Sequence, residues 1–266
     1  MPDLILQDHE DGVVRLTLNR PDRMNALADE GDGDVFRQVF DGINGNPDIR
    51  CVVLTGAGKA FSAGGNVKDM LAKEGFFAGS EAEIADSYRT NVHEIVRAVW
   101  GCQVPIIAAV NGPAVGLGHD VAGYCDIRIA SDKARFGSTF ANIGLIPGDG
   151  GAWLLPRNIG MSRASTMFFT GEIIDTEKAL DWGLVSEVVA ADELLDRAHA
   201  MARKIAAQPP LAIRTTKRLM REAQMTDLAG ALEAAAVAQA PLHATEDHME
   251  ALTAFFEKRQ GVYKGQ

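Results

Sequence analysis

Apolar runs that end in glycine or serine alternate with helical patterns through the first part of the chain. The segments "RCVVLTG", "PIIAAVNG" and "CDIRIAS" are nearly continuous apolar runs, typical of strands that are covered on both faces. Helical spacing in "DVFRQVFDGIN" and around residues 83–100 predicts two helices. The opening "LILQDHEDGVVRLTLNR" has two β-type runs around "EDG", which predicts a hairpin. Strand, glycine loop and helix recur in order, and this predicts right-handed βαβ crossovers and a mainly parallel sheet.

The last third of the chain has a different pattern. From about Arg163 the strand signals nearly vanish, and "TEKALDWGLV", "DELLDRAHAMARKIAAQ", "PPLAIRTTKRLMREAQ" and "TEDHMEALTAFFEKR" each have helical spacing. No long linker, repeat or low-complexity tract separates them from the rest. We expect one folding unit with a β/α core, residues 1–195, and a helical C-terminal region, residues 196–266.

Composition narrows the classes of function. A chain of 266 residues with 47% hydrophobic residues can bury a substantial core. Its formal net charge of −10 disfavours nucleic-acid binding, which usually needs a basic face. Cys51, Cys102 and Cys125 have neither metal-ligand spacing nor a disulfide framework, so we expect buried thiols in a reducing compartment. No signal peptide or membrane-length apolar run is evident, and a cytoplasmic protein without membrane partners is expected.

Two glycine-rich loops follow two of the predicted strands. "GAGKAFSAGGNVKDM" comes after "CVVLT", and "NGPAVGLGHD" comes after "IIAAV". Ligands of open parallel sheets bind where the strand C-termini meet such loops, and glycine lets backbone N–H groups approach a ligand closely. Two N–H groups converging from separate loops form an oxyanion hole. Either loop taken alone is better explained as a tight turn between a strand and a helix, and neither has a nucleotide-binding fingerprint.

Two acids lie in loops of this kind. Asp120 stands where "GLGHD" opens a predicted helix, and the helix dipole alone favours an acid there by ~0.3–1 kcal/mol. Asp149 lies in "PGDGG", where an aspartate usually bonds the backbone of its own turn. His119 is expected to be a packing or surface residue. Each acid taken alone therefore has a structural explanation.

Taken together and in order, these motifs resemble the crotonase family, also called the enoyl-CoA hydratase/isomerase family. The matching segments span nearly the whole chain and are, in order, "LNRPDRMNAL", "VVLTGAGKAFSAGGNVKDM", "PIIAAVNGPAVGLGHDVAGYCDIRIAS", "FGSTFANIGLIPGDGGAWLLPRNIG" and "TGEIIDTEKALDWGLVSEVV", with "AFFEKR" near the end. The resemblance implies an α/β fold, a spiral of repeated ββα units in place of one open doubly wound sheet. It also implies a helical C-terminal region that builds trimers, often paired into hexamers.

The same resemblance implies acyl-CoA thioesters as ligands, with coenzyme A as part of the substrate and with no separate cofactor or metal. By position, the N–H groups of Gly65 and Leu117 hold the thioester oxygen while an enolate forms. The implied coenzyme A contacts are Arg23, Ala63, Asn66 and Lys68, with Phe255 and Lys258 arriving from a neighbouring subunit.

Hydratases of the family use two glutamates to add water across a double bond. The first of these positions is Asp120 here, and the second is Phe140, which cannot transfer a proton. We expect Asp149 to replace the second glutamate, although it lies one residue beyond Gly148, where some family isomerases and dehalogenases carry an aspartate. Asp120 and Asp149 are thus the expected catalytic residues, and Phe140 is expected to line the acyl pocket.

Four functions are compatible with these residues. We expect an enzyme that forms a CoA-thioester enolate, with 2-enoyl-CoA hydratase as the general class. Isomerisation of a 3-enoyl to a 2-enoyl thioester by Asp120 alone is a near equal, because one carboxylate can move a proton between two carbons. A thioester or carbon–carbon hydrolase of the family is less favoured. A family member that binds acyl-CoA without turning it over stays open, since the second glutamate is missing.

Overall fold

The computed structural model describes residues 4–266. The strands within them are β1 (Ile5–Glu10), β2 (Val13–Leu18), β3 (Cys51–Gly56), β4 (Ile106–Val110), β5 (Pro113–Val115), β6 (Ile127–Ser131), β7 (Arg135–Gly137), β8 (Ile173–Ile174) and β9 (Glu187–Val189). The α-helices are α1 (Asp32–Gly45), α2 (Val67–Ala72), α3 (Glu81–Ser87), α4 (His93–Gly101), α5 (Leu117–Tyr124), α6 (Gly151–Ile159), α7 (Met161–Thr170), α8 (Thr176–Asp181), α9 (Leu194–Ala206), α10 (Pro210–Glu222), α11 (Leu228–Leu242) and α12 (Glu246–Glu257).

The larger of two sheets has six strands in the order β1-β2-β3-β4-β6-β9. β1 and β2 form the predicted antiparallel hairpin, with Gly12 at a left-handed φ of 75° in its turn, and the other pairs are parallel. In β3, Val52 and Leu54 pack in one hydrophobic cluster, while Cys51 and Val53 pack in a second cluster. Because successive side chains of a strand point to opposite faces, a strand covered on both sides is apolar throughout. The prediction of a mainly parallel sheet is confirmed.

Helix α9 covers one face of this sheet. Its buried side chains, Leu194, Ala198, Ala202 and Ala206, repeat every fourth residue and pack against β2, β3, β4 and β6. Residues four apart lie on one face of a helix, and alanine there lets the helix approach the sheet closely. The predicted division between residues 195 and 196 falls inside this helix and stays a prediction.

The chain moves between the two sheets in successive turns. β4, in the large sheet, is followed by β5, in the three-stranded sheet β5-β7-β8, and then by α5. β6 is likewise followed by β7 and then by a 3₁₀ turn, Thr139–Ile143. Each turn adds one strand to each sheet and then a helical segment, as the resemblance implies. β8 and β9 lie where strand signals nearly vanish, and they are too short to show a period.

The helix expected around residues 83–100 is divided in three. α3 ends at Ser87, a π-helical turn covers Tyr88–Val92, and α4 begins at His93. The four predicted C-terminal helices are present as α8, α9, α10 and α12, and α11 lies between the last two. α11 and α12 expose several apolar side chains, among them Val237, Phe255 and Phe256. The trimer or dimer of trimers stays a prediction.

Two further expectations concern burial and membranes. The three cysteines are buried and free, as expected for small core residues. Within residues 4–266, no helix combines the length and the apolar character that a membrane span needs.

Candidate active site

The loops that follow β3 and β4 lie side by side. The Ser62 N–H donates to Pro113 O at 3.1 Å and the Val115 N–H donates to Ser62 O at 2.9 Å, so the loops pair in the manner of strands. Gly64 has a φ of 76°, and a Cβ on it would lie 3.0 Å from Leu117 N. A glycine is therefore required there, both for the left-handed backbone and for the close approach of the second loop.

Two backbone amides from these loops border the same cavity. Gly65 and Leu117 both line it, and within residues 4–266 neither N–H has an acceptor. Leu117 is the first residue of α5, and the first N–H groups of a helix have no partner inside the helix. That these two N–H groups form an oxyanion hole stays a prediction.

The cavity is lined mainly by apolar side chains, and Asp149, Thr139 and Tyr88 are the lining residues with polar groups in their side chains. Its volume is about 70 Å³, and the aromatic rings of Phe76, Phe77, Tyr88 and Phe140 form much of its wall. Asp149 is the one acidic residue that lines it, and each of its carboxyl oxygens has less than 1 Å² of exposed surface. A cavity of this size and lining suits a short apolar group beside a single acid.

Asp149 is one of three polar side chains that are buried together. Asp149 is 3% exposed, Asp120 is 0% exposed and His119 is 2% exposed. His119 Nδ1 lies 2.8 Å from Asp120 Oδ1. Asp120 Oδ2 lies against Gly151, the first residue of α6. A Cβ on Gly151 would overlap this oxygen, so any side chain there would clash with Asp120. We call His119, Asp120 and Asp149 the buried acid cluster.

Burial raises the pKa of both carboxyl groups in this cluster. The pKa of Asp120 rises to about 6, and that of Asp149 rises well above its ordinary value because burial and the charge of Asp120 both disfavour its ionised form. The two groups are close enough to share a hydrogen bond when one holds a proton. With both ionised, Asp120 Oδ2 has no donor within residues 4–266, and the Asp149 carboxylate meets only the backbone N–H groups of Asp149 and Gly151, outside ordinary hydrogen-bond geometry. Both effects favour a proton held within the pair, and the charge of Asp120 favours it on Asp149.

Comparison with known proteins identifies the fold family. The family model for enoyl-CoA hydratase/isomerase matches residues 8–266. The chain belongs to the enoyl-CoA hydratase/isomerase family. The 1,2-epoxyphenylacetyl-CoA isomerase of Escherichia coli is 34% identical, with 100% of both chains covered. The short-chain-enoyl-CoA hydratase of Clostridium acetobutylicum is 34% identical over 96% of this chain and 95% of its own.

Solved structures agree with the assignment to this family. The crystal structure of an enoyl-CoA hydratase from Bacillus anthracis has a TM-score of 0.93 and 34% identity, and the match covers 99% of this chain and 100% of that one. The predictions of a crotonase-like fold and of an enzyme of the enoyl-CoA hydratase/isomerase family are confirmed.

The acid that lines the cavity is not the one we expected. We expected Asp120 to point into the ligand pocket, with Asp149 as its helper. In the structure Asp149 is among the residues that line the cavity, whereas Asp120 is fully buried and is not among them. The turn at Gly150, with a φ of 90°, carries Asp149 to the start of α6 and so close to Asp120. Phe140 lies in the cavity wall, and its place in an acyl pocket stays a prediction.

Two of the residues expected to contact coenzyme A already have partners. Arg23 and Asn66 line a groove next to the cavity. The Arg23 guanidinium donates two hydrogen bonds of 2.8 Å to Asp29. The Asn66 side chain caps α2 and donates to Asp69 Oδ2 at 2.7 Å. Both would have to share or exchange these partners to bind a ligand.

The other expected contacts fall in different places. Ala63 lines the cavity, and Lys68 is exposed in the first turn of α2, with no ion pair of its ammonium group within residues 4–266. Phe255 and Lys258 are exposed at the end of α12 and line neither the cavity nor the groove of their own chain.

Sequence reasoning missed His119 and Gly151. His119 was expected to pack or to face solvent, yet it is buried against Asp120. Its position, next to an acid in the first turn of an otherwise apolar helix, was the available signal. Gly151 is one of three glycines around Asp149, and only the structure shows that its missing side chain leaves room for Asp120.

Proposed function

We propose that this enzyme moves the double bond of an enoyl-CoA thioester from the 3- to the 2-position. The observation that carries the proposal is the site of Asp149. It is the only acid among the residues lining an apolar cavity in the described chain, 4–266, and two unpaired amides border the same cavity. One proton carrier and one anion site are the parts that such an isomerisation needs.

The amides of Gly65 and Leu117 hold the thioester oxygen. Removal of a proton from Cα turns the thioester into an enolate, and the oxygen then carries most of the negative charge. Fixed donors stabilise that oxygen more than the neutral carbonyl of the substrate, so they lower the barrier and do not merely bind. Neither of these two N–H groups has an acceptor within residues 4–266, which supports this role.

Asp149 carries the proton between two carbons. Its resting proton first passes to Asp120 Oδ2, which leaves Asp149 ionised beside the acyl chain. Asp149 then takes a proton from Cα, and the electron pair of that C–H bond enters a dienolate whose charge lies on the thioester oxygen. Asp149 next gives the proton to Cγ, the double bond forms between Cα and Cβ, and Asp120 returns its proton to Asp149. Protons and electrons are conserved over the cycle.

Hydration of a 2-enoyl thioester is the second candidate. The relatives named as hydratases favour it, and the acid pair offers two groups that could manage a water molecule. Against it, Phe140 occupies the position of the second glutamate and adds an apolar ring to the cavity wall. Isomerisation needs no ordered water, so the apolar lining favours it over hydration, which was our first expectation from sequence.

Other parts of the proposal follow from family membership. Arg23, Ala63, Asn66 and Lys68 contact coenzyme A, and the neighbouring subunit supplies Phe255 and Lys258. The exposed apolar side chains of α11 and α12 support a trimer or a dimer of trimers. A cytoplasmic location and the absence of a separate cofactor or metal go with the same proposal.

The test uses the ultraviolet absorbance of the conjugated thioester. A short 3-enoyl-CoA and its 2-enoyl isomer are each mixed with the wild-type enzyme, with Asp149→Asn and with Asp41→Asn, an exposed site on α1 that controls for the lost charge. We expect absorbance to rise with the 3-enoyl substrate. Asp149→Asn should lower kcat by ~10²–10⁴-fold, the usual contribution of a general acid–base group, and Asp41→Asn should not.

Three results would count against isomerisation by Asp149. Falling absorbance with the 2-enoyl substrate, faster than any rise with the other isomer, would make the enzyme a hydratase. Full activity in Asp149→Asn would remove Asp149 from the chemistry. Tight acyl-CoA binding without turnover of either isomer would favour the non-catalytic function.

A further inference from the structure

His119 is held against the acid that lies behind the cavity wall. Its Nδ1 is 2.8 Å from Asp120 Oδ1, and both side chains are 1% exposed. The other ring nitrogen, Nε2, has no partner within residues 4–266. A fully buried histidine with its only hydrogen bond to a catalytic-site carboxyl group calls for an explanation beyond packing.

The proton of the imidazole can be placed from its surroundings. Burial lowers the pKa of His119 to about 4, so the ring is neutral near pH 7 and carries a single N–H. The carboxylate oxygen beside Nδ1 needs a donor, and nothing within residues 4–266 accepts from Nε2. The N–H is therefore on Nδ1 and donates to Asp120 Oδ1.

We propose that His119 is a positioning residue: it holds Asp120 Oδ1 as an acceptor and so directs Oδ2, the oxygen that exchanges the proton, toward Asp149. The inference rests on the proposed function, since it concerns the same proton pathway. With Oδ1 occupied by the Nδ1–H, a proton arriving from Asp149 has only Oδ2 to bind. The carboxyl group cannot rotate by half a turn without breaking the hydrogen bond to the ring.

Both protonation states of Asp120 satisfy this arrangement. When Asp120 is ionised, Oδ1 accepts from His119 and Oδ2 accepts from the protonated Asp149. When the proton moves, Oδ2–H donates to the ionised Asp149, and Oδ1 still accepts from His119. Asp120 Oδ2 and one Asp149 oxygen are thus paired in either state, while His119 Nε2 and the second Asp149 oxygen are not.

The charged groups around His119 are few. Asp120 and Asp149 face it, and Arg128 on β6 acts on it through space. The Arg128 guanidinium donates to the carbonyl oxygens of Gly123, Cys125 and Leu184. Its hydrogen bonds go to these carbonyls, so it does not compete with the ring for Asp120.

Three substitutions separate the hydrogen bond from the volume of the ring. Asparagine places an amide N–H near the position of Nδ1, glutamine places one near Nε2, and leucine has no donor. We expect His119→Leu and His119→Gln to lower kcat for isomerisation by ~10–100-fold, as found for other residues that support a reacting group, with KM within twofold. His119→Asn should keep kcat within about threefold of wild type.

The pH profile gives a second readout that packing alone would not change. Loss of a donor to Asp120 disfavours its ionised form, so the acid limb of kcat should move up by about one pH unit in His119→Leu and stay in place in His119→Asn. Wild-type kcat and an unmoved limb in His119→Leu would overturn the inference. Equal damage in folded His119→Asn and His119→Leu would overturn it too, because the donor would then be irrelevant.

Infrared titration of the substrate-free enzyme tests the inference apart from turnover. The C=O stretch of the protonated carboxyl groups is followed with pH, and the band of Asp120 is assigned by its loss in Asp120→Asn. If the midpoint rises in His119→Leu but the wild type has no isomerase activity, the proposed function is refuted. The hydrogen bond from His119 to Asp120 would still be supported. Activity in the wild type with an unmoved midpoint would refute the role of His119 alone.

Discussion

Replacing Asp120 with asparagine is expected to stabilise the protein at pH 8 and to leave its stability nearly unchanged at pH 4. The pKa of this buried carboxyl group rises from 3.8 to about 6 on folding. An acid whose pKa rises on folding binds its proton more tightly in the folded state, so its ionisation opposes folding. Well below pH 3.8 the group is protonated in both states and costs nothing, and at pH 4 the cost is still small. Between about pH 4 and pH 6 the cost grows, and above pH 6 it is constant.

The size of the effect follows from that shift. A difference of about two pH units corresponds to about 3 kcal/mol, at about 1.4 kcal/mol per unit. Asparagine has no charge to bury, and it can still accept a hydrogen bond from His119 and donate one to Asp149. The gain at pH 8 therefore comes without the loss of a partner.

Thermal unfolding from pH 4 to pH 8 measures the effect. Wild type, Asp120→Asn and the exposed control Asp41→Asn are compared at one protein concentration, because oligomers gain stability with concentration. For a chain of this size 1 kcal/mol moves Tm by roughly 2–4 °C, so the difference between Asp120→Asn and wild type should grow from near zero to roughly 6–12 °C. A difference that is the same at every pH, or absent at pH 8, would refute the reasoning.

Two more substitutions test other parts of the structure. Gly64→Ala would force a Cβ to within 3.0 Å of Leu117 N at a left-handed φ, and it should lower kcat by ~100-fold through the displaced amide; activity within twofold of wild type in the folded variant would argue against the oxyanion role. Lys217, 6% exposed, donates hydrogen bonds of 2.6 Å to Val104 O and to Asp126 Oδ2. Because Asp126 keeps its hydrogen bond from Arg221 while buried Val104 O loses a donor, urea unfolding of Lys217→Met should show a loss of ~1–3 kcal/mol, with a smaller loss in Lys217→Arg.

The local sequence pattern was sufficient to predict a strand or a helix wherever the spacing of apolar residues reflects which side chains are buried. β3 is apolar at successive positions because it is covered on both faces, and α1 shows helical spacing because Phe36, Phe40 and Ile43 face the core. Glycine pattern also located the two loops, since a left-handed backbone at Gly64 and close contact between the loops leave no room for a side chain. β8 and β9 were missed because two or three residues are too few to reveal a period.

The motifs and their order along the chain were sufficient to predict the family. They also identified Asp120 and Asp149 as candidate catalytic residues from the sequence alone. Only the tertiary structure decided which acid reaches the cavity, that His119 donates to Asp120, and that Arg23 is already engaged by Asp29. The physical reason is that a carboxyl group's exposure and pKa depend on its neighbours in space. The neighbours of Asp120 across the fold come from a loop and helix start near residue 150, about thirty residues away along the chain, and no spacing along the chain records how closely the two segments pack.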